Sequence, residues 1–321
     1  MIPPWFESEL VTRGTEIDTA ATVGMPVFMR YFEHLRWRLM AEEVLGLRPL
    51  IDRGHFYVVR SQTLELRQRV GQEVRMHVRT RIMSVGRSTT QVLHEARDVH
   101  DGSLIARARV VGAWLGPDRR LARLPDAFRE AGAAQRAHHV AEVAALLPDA
   151  HDESLGDPAR DEPARIVAVR GGQASSFIDP PRVVFGPLSL AVDAPSAPPT
   201  RIAFEHFITV PPRDLDVFSH LNAATWLTYA DDARHFAAAH GALDADVASG
   251  YTNRVAVFYG REASRQDPLR VALAPVGGAL GETHALGAWF YRGDEAEPVC
   301  TLRVDLAPGA HAVTAPQSTG A

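Results

Sequence analysis

Sliding the chain against itself by 198 residues brings its two halves into register, without a gap, through one acidic turn and the helical segment that follows it. Asp18 falls on Asp216, Tyr31 on Tyr229 and Arg36 on Arg234. Around them Glu16 meets Asp214, Ile17 meets Leu215, Phe28 meets Trp226, Met29 meets Leu227 and Glu33 meets Asp231. An ordered series of acid, aromatic, acid and arginine at one fixed offset marks a duplicated unit. Whatever the first unit folds into, the second must repeat, and related surfaces must meet where the two join.

Each half has the same order of segments: strand, short acidic turn, long helix, four strands. Phe28, Tyr31, Phe32, Leu35 and Leu39 recur at three- and four-residue steps, which predicts a helix from about Gly24 to Leu45 with one apolar stripe, stopping near Gly46 and Pro49. Val74, Met76, Val78, Thr80 and Ile82 then alternate with Glu73, Arg75, His77, Arg79 and Arg81, as a half-buried antiparallel strand does. Further strands are expected at 55–66, 90–99 and 104–114. The second half repeats this with strands at 202–210, 254–261, 269–274, 283–291 and 299–306 and a helix from about Asn222 to His240. The expected class is α+β: two antiparallel sheets, each wrapped around a long central helix and joined edge to edge as a pseudo-dimer.

Between the halves, nine of the 22 prolines fall from Pro148 to Pro199 beside Gly171-Gly172, which reads as a connector. Its stretches 164–170 and 182–192 have strand-like composition. The expected boundaries are a first unit over 1–135, a partly ordered linker over 136–200, a second unit over 201–308 and a frayed tail over 309–321.

Composition excludes several function classes. A net charge of −5 without a dense basic stripe gives no electrostatic footprint for nucleic acid. All 34 basic residues are arginine, so lysine Schiff-base chemistry is out. Cys300 is the only cysteine, which forbids an intrachain disulfide or a cysteine zinc cage, and its parity with Leu302, Val304 and Leu306 predicts a buried packing thiol. With no apolar run of bilayer length and no basic-then-apolar start, the expectation is a cytoplasmic protein without a membrane partner. Phosphate loops, dinucleotide fingerprints, nucleophile elbows and His-Glu-x-x-His are missing, and His138-His139 point to different faces of a helix, so neither a cofactor nor a metal is expected.

The chemistry concentrates in the segment 213–234, Arg-Asp-Leu-Asp-Val-Phe-Ser-His-Leu-Asn-Ala-Ala-Thr-Trp-Leu-Thr-Tyr-Ala-Asp-Asp-Ala-Arg. Asp216 is suited to activating water or attacking a carbonyl itself, His220 follows four residues later, and Asn222 can cap a helix or orient a water. The helix start offers unpaired N–H groups and the positive dipole end to a developing oxyanion. This segment resembles the signature of hotdog-fold thioesterases, closest to the 4-hydroxybenzoyl-CoA thioesterase type and the double-hotdog acyl-ACP thioesterases. The resemblance is sharper in the second half than in the first. Phe218 stands where the plant-type enzymes carry Asn, which departs from their full network.

In the first unit Asp18 is kept, whereas Thr22 replaces His and Gly24 replaces Asn, so that site is expected to be degenerate. Asp18, Gly24 and Trp226 are assigned to substrate binding, with Trp226 and Tyr229 also fitting a core stripe. Asp214 reads as a turn acid, and Glu33 and Asp231 as helix acids paired with Arg36 and Arg234. Arg119, Arg120 and Arg123 are candidates for CoA phosphates or an acidic carrier protein, beside the plainer reading of a solvated charge run. The resemblance implies a hydrolase that cleaves acyl-CoA or acyl-carrier-protein thioesters as a monomeric pseudo-dimer or a higher homo-oligomer. A non-catalytic acyl-thioester-binding protein and a dehydrating enzyme of the same fold are the alternatives.

Overall fold

A computed structural model of the chain describes residues 3–18, 21–43, 45–146, 199, 202–216, 219–244, 247, 250–276 and 284–307. The strand-like stretches 164–170 and 182–192, His151, Phe218 and the tail 309–321 lie outside the described residues.

The first half contributes β1 (Phe6–Val11), β2 (Phe56–Leu66), β3 (Arg75–Val85), β4 (Thr89–Asp98) and β5 (Leu104–Leu115). The second contributes β6 (Phe204–Thr209), β7 (Tyr251–Tyr259), β8 (Pro268–Val276), β9 (His284–Arg292) and β10 (Cys300–Ala307). All ten strands form one antiparallel sheet in the order β1-β3-β4-β5-β2-β7-β10-β9-β8-β6. The second half is the first half in reverse order, and β2 and β7 form the seam. Their pairing, from Ser61 opposite Phe258 to Glu65 opposite Arg254, centres on Thr63 opposite Ala256.

Helix α1 (Met25–Arg38) starts after Gly24 with a proline in its first turn and buries Phe28, Phe32 and Leu35. The sequence expects one helix to Leu45, but the α-helix ends at Arg38 and a π-helical turn, Leu39–Glu43, follows. A short α2 (Arg48–Ile51) leads into β2. Helix α4 (Ala223–Ala239) lies between an Asn222 cap and His240, close to the sequence expectation, and packs on β6, β8 and β10 as well as on α1. The cores of both halves merge into one apolar cluster, which includes Cys300 at 1% exposure.

Helix α3 (Asp126–Leu146), of which the sequence reading places only the His138-His139 neighbourhood on a helix, runs through the 135/136 boundary and packs on β3. It explains a departure from the expected alternation, since Arg81, assigned to a solvated face, is buried. Its guanidinium lies 2.7 Å from His139 Nδ1 and 4.0 Å from the Trp5 ring centroid. Gln135 accepts the Ile82 N–H at 2.8 Å, and a Cβ at Gly132 would meet Val85 Cγ2 at 2.3 Å, so only glycine lets α3 approach this closely. Among the described residues no helix is long and apolar enough to cross a membrane.

Candidate active site

Both acidic turns are built by the same backbone bonds. In the second unit Leu215 bridges to Leu221, the Asp216 N–H donates to the His220 carbonyl at 2.7 Å, and the His220 N–H donates to Asp216 Oδ1 at 3.0 Å. In the first unit Ile17 bridges to Val23, the Asp18 N–H donates to the Thr22 carbonyl at 2.9 Å, and the Thr22 N–H donates to Asp18 Oδ1 at 3.1 Å. Ala21 and Ser219, at equivalent places, both adopt positive φ, 58° and 65°. A second pair of bonds ties each turn to its helix: Tyr229 donates to Asp214 Oδ2 at 2.6 Å, and Tyr31 donates to Glu16 Oε2. Burial, together with an acceptor carboxylate, pushes both phenols up from their ordinary value. Asp214 is thus a turn acid with a specific helix partner.

The turns differ in the side chain four residues after the acid and in what faces it. His220 bridges to Ser264, and the Leu221 N–H donates to the Ala263 carbonyl at 2.8 Å, which docks the turn on the segment leaving β7. Glu262 is thereby set beside His220, with Nε2 3.0 Å from Oε2. Arg119 reaches in from beyond β5, its Nη1 3.0 Å from Glu262 Oε2 and 3.3 Å from His220 Nε2. An imidazole nitrogen either donates or accepts at one time, and the shorter contact, to the carboxylate, is the one an Nε2–H makes. In the first unit the equivalent docking bond is Val23 N–H to the Val70 carbonyl, at 2.8 Å. There Thr22 replaces His220 and Arg69 replaces Glu262, with the Arg69 guanidinium 4.0 Å above the Tyr251 ring. No acid–imidazole pair exists at the described first turn.

The Asn222 side chain makes two contacts. Its Oδ1 accepts the Ala224 N–H at 2.9 Å, capping α4, and its Nδ2 donates to Glu33 Oε2 of the other unit's helix at 2.9 Å. It fixes the start of α4 against α1. Glu33 is therefore not paired with Arg36, as the sequence expects, because Asn222 has captured it. The equivalent Asp231 does pair with Arg234, at 3.1 Å. Burial raises the Asp231 carboxyl above its usual range, against the pull of that guanidinium.

These groups line a cleft of about 690 Å³ between the units. Asp216, His220, Ala223, Tyr259 and Glu262 form the second unit's wall, facing Glu33, Arg36 and Trp37 of α1, Met40 of the π-helical turn and Tyr57 to Arg60 of β2. The exposed Arg60, Arg119 and Arg261 also line it. Of the sequence-assigned residues, Asp216 and His220 line the cleft and Asn222 supports its edge. Asp18 and Gly24 do not line it: Asp18 is engaged within its own turn, and Gly24 caps α1 at an ordinary φ of −77°. Trp226 is in the core, 2% exposed, with its ring edge-on to Phe290 at 5.1 Å, and is no part of the cleft wall. Sequence reasoning passed over Glu262 and gave Glu33 only a structural pairing with Arg36. The only signal for Glu262 was a carboxylate at the exit of a strand, Gly260-Arg261-Glu262, while the Glu33 contact arises from the meeting of the two units. Among the described residues no group of three His, Cys, Asp or Glu side chains is placed to hold a metal ion.

Residues 12–132 match the family model of the thioesterase-like superfamily. The match falls on the first unit, the one lacking the His-x-Asn arrangement. No curated protein sequence matches significantly. Over nearly its whole length the chain shares the fold of the 12:0-ACP thioesterase from Umbellularia californica, at a TM-score of 0.62 and 14% identity, covering 96% of this chain and 95% of that one. It likewise shares the fold of an acyl-ACP thioesterase from Bacteroides thetaiotaomicron, at a TM-score of 0.59 and 15% identity, covering 94% and 98%. The protein therefore has the hotdog thioesterase fold, with a large antiparallel sheet.

Proposed function

We propose that the protein hydrolyses an acyl thioester in this cleft, as a double hotdog in which each half-sheet curls around its own helix and only the second acidic turn is competent. The observation that carries this reading is the convergence of Asp216, His220 and Glu262 on one cleft, with the imidazole and carboxylate 3.0 Å apart. Asp216 takes a proton from water as the water oxygen attacks the thioester carbonyl carbon. The carbonyl oxygen gains the negative charge and faces the Ala223 N–H at the first turn of α4, the Ala224 and Thr225 N–H groups being taken by Asn222. As the intermediate collapses the C–S bond breaks, and the departing sulfur takes the proton that Asp216 accepted from water, which returns Asp216 to its carboxylate, while the His220 imidazole, held by Glu262, keeps the substrate oriented against Asp216. Free acid and thiol leave. Asn222 acts through position, holding the start of α4 to Glu33.

The acyl carrier is coenzyme A or an acyl carrier protein, whose pantetheine phosphates suit the exposed arginines Arg60, Arg119 and Arg261 on the cleft wall. The test is thiol release from acyl-CoA and carrier-bound acyl panels. Wild type should turn over at least one class, and Asp216→Asn and Glu262→Gln should each lower kcat by about 10²- to 10⁴-fold. Absence of hydrolysis across both panels, or full turnover in both variants, would overturn the proposal.

A further inference from the structure

Arg36 and Arg234 occupy the same place in the duplicated unit, but only Arg234 has its guanidinium tied to groups of the fold, through Nη1 and Nη2. Arg234, 6% exposed, donates to the Val247 and Gly250 carbonyls at 2.9 and 2.8 Å and to Asp231 Oδ1 at 3.1 Å. Arg36 is as deeply placed, 4% exposed, yet it makes no hydrogen bond or ion pair with a described residue, and it lines the cleft. Two local causes account for this. Its helix acid, Glu33, is held by Asn222. The position equivalent to Gly250 is Tyr57, already inside strand β2 and paired with β5, so no loop carbonyl is free to meet the guanidinium there.

The surroundings of Arg36 are polar on the same side. Tyr57, on the cleft wall, bonds to the buried Thr90 hydroxyl at 2.8 Å. Behind it His94 stacks on Phe32 at 5.1 Å, fully buried, with neither ring nitrogen bonded, opposite Thr80, whose hydroxyl is also without a partner. The second unit has Ala288 and Leu273 at those two strand positions, an apolar pair. Burial and the nearby Arg36 charge keep His94 neutral. Arginine cannot shed its proton to escape burial, so a ligand that strips water from Arg36 without replacing its bonds incurs a large desolvation cost. An alkyl chain laid along α1 would do that.

We infer that the acyl group this protein accepts carries an oxygen acceptor, a carboxylate or a ketone, that binds Arg36. Arg36 is three residues beyond Glu33, the contact marking the catalytic end of the cleft. That is a rise of about 4.5 Å along the helix, or roughly three to four bonds of an extended chain. The oxygen therefore belongs near the third to fifth acyl carbon. This inference rests on the thioesterase reading, and the experiment separates the two.

Thiol release is measured for matched pairs of coenzyme A thioesters, glutaryl against pentanoyl and 3-oxododecanoyl against dodecanoyl, with wild type, Arg36→Met and Arg36→Lys. At least one oxygen-bearing member should exceed its partner in kcat/KM by ten-fold or more, and the pair that shows it tells carboxylate from ketone. Arg36→Met should abolish that preference while leaving turnover of the plain chain unchanged or raised, and Arg36→Lys should retain part of it. Equal or better turnover of the plain chains by wild type overturns the inference and leaves the thioesterase reading standing. No release from any of the four overturns the parent reading instead. Because the preference is read on wild type, a poorly folding Arg36→Met does not shield the inference.

Discussion

Glu95 offers a quantitative test of how the first half of the sheet is held together. It lies on β4 with a side chain only 4% exposed, and it accepts from Arg79 on β3, Arg97 on its own strand and Arg107 on β5, at 2.7, 3.0 and 2.7 Å. Burial alone would raise its pKa, but the three guanidiniums outweigh burial and lower it from 4.5 to about 2. A shift of that size corresponds to about 3 kcal/mol of stability at neutral pH. A folded pKa below the unfolded one means that the contribution is whole above about pH 4.5 and is lost as pH falls toward 2. Glu95→Gln should therefore lower the unfolding free energy by about 3 kcal/mol at pH 7, with the gap to wild type closing below pH 4.5. Urea denaturation of both proteins at pH 7, 5 and 3 measures it. A gap that stays constant across the three pH values would refute the argument, since the loss would then come from packing rather than charge.

Asp18→Asn should leave kcat within about three-fold of wild type, against the 10²- to 10⁴-fold loss expected for Asp216→Asn, and steady-state thiol release compares them directly. Asn222→Ala removes the α4 cap and the tie to Glu33 together, so the loss should be about 1 to 2 kcal/mol by denaturant melting. Gly24→Ser should add an N-cap hydroxyl at no steric cost, because the Cβ meets only Pro26 Cδ at 3.5 Å. The gain should be a few tenths of a kcal/mol with unchanged turnover, and altered turnover would show that Gly24 faces substrate.

The repeat was legible because each acidic turn is closed by bonds between residues a few positions apart, so its few determinants stay in one window of sequence. Asp216 and His220 were legible for the same reason. Glu262 was not, because it meets His220 only after β7 returns beside the turn, and no spacing rule links residues 42 positions apart. Glu33 was assigned the wrong partner because a three-residue helical spacing to Arg36 says nothing about an asparagine arriving from the other unit. The extent of helix α3 was hidden by its alanine-rich, weakly amphipathic face, which buries small residues such as Ala131 and leaves Gly132 resembling a breaker when it is a packing contact. Trp226 was readable both as a substrate contact and as part of a core stripe, and its packing against Phe290 puts it in the core.

One site per chain, at the second acidic turn, is the central claim, and calorimetric titration with a nonhydrolysable acyl-CoA thioether tests it most directly. The acyl group of the analogue is taken from the thioester that the protein turns over fastest. The account predicts a stoichiometry of one, with binding weakened by Ala223→Trp, which fills the cleft at the start of α4, and unaffected by Asp18→Asn. Two equal sites per chain, or a single site that survives Ala223→Trp and is lost with Asp18→Asn, would contradict it.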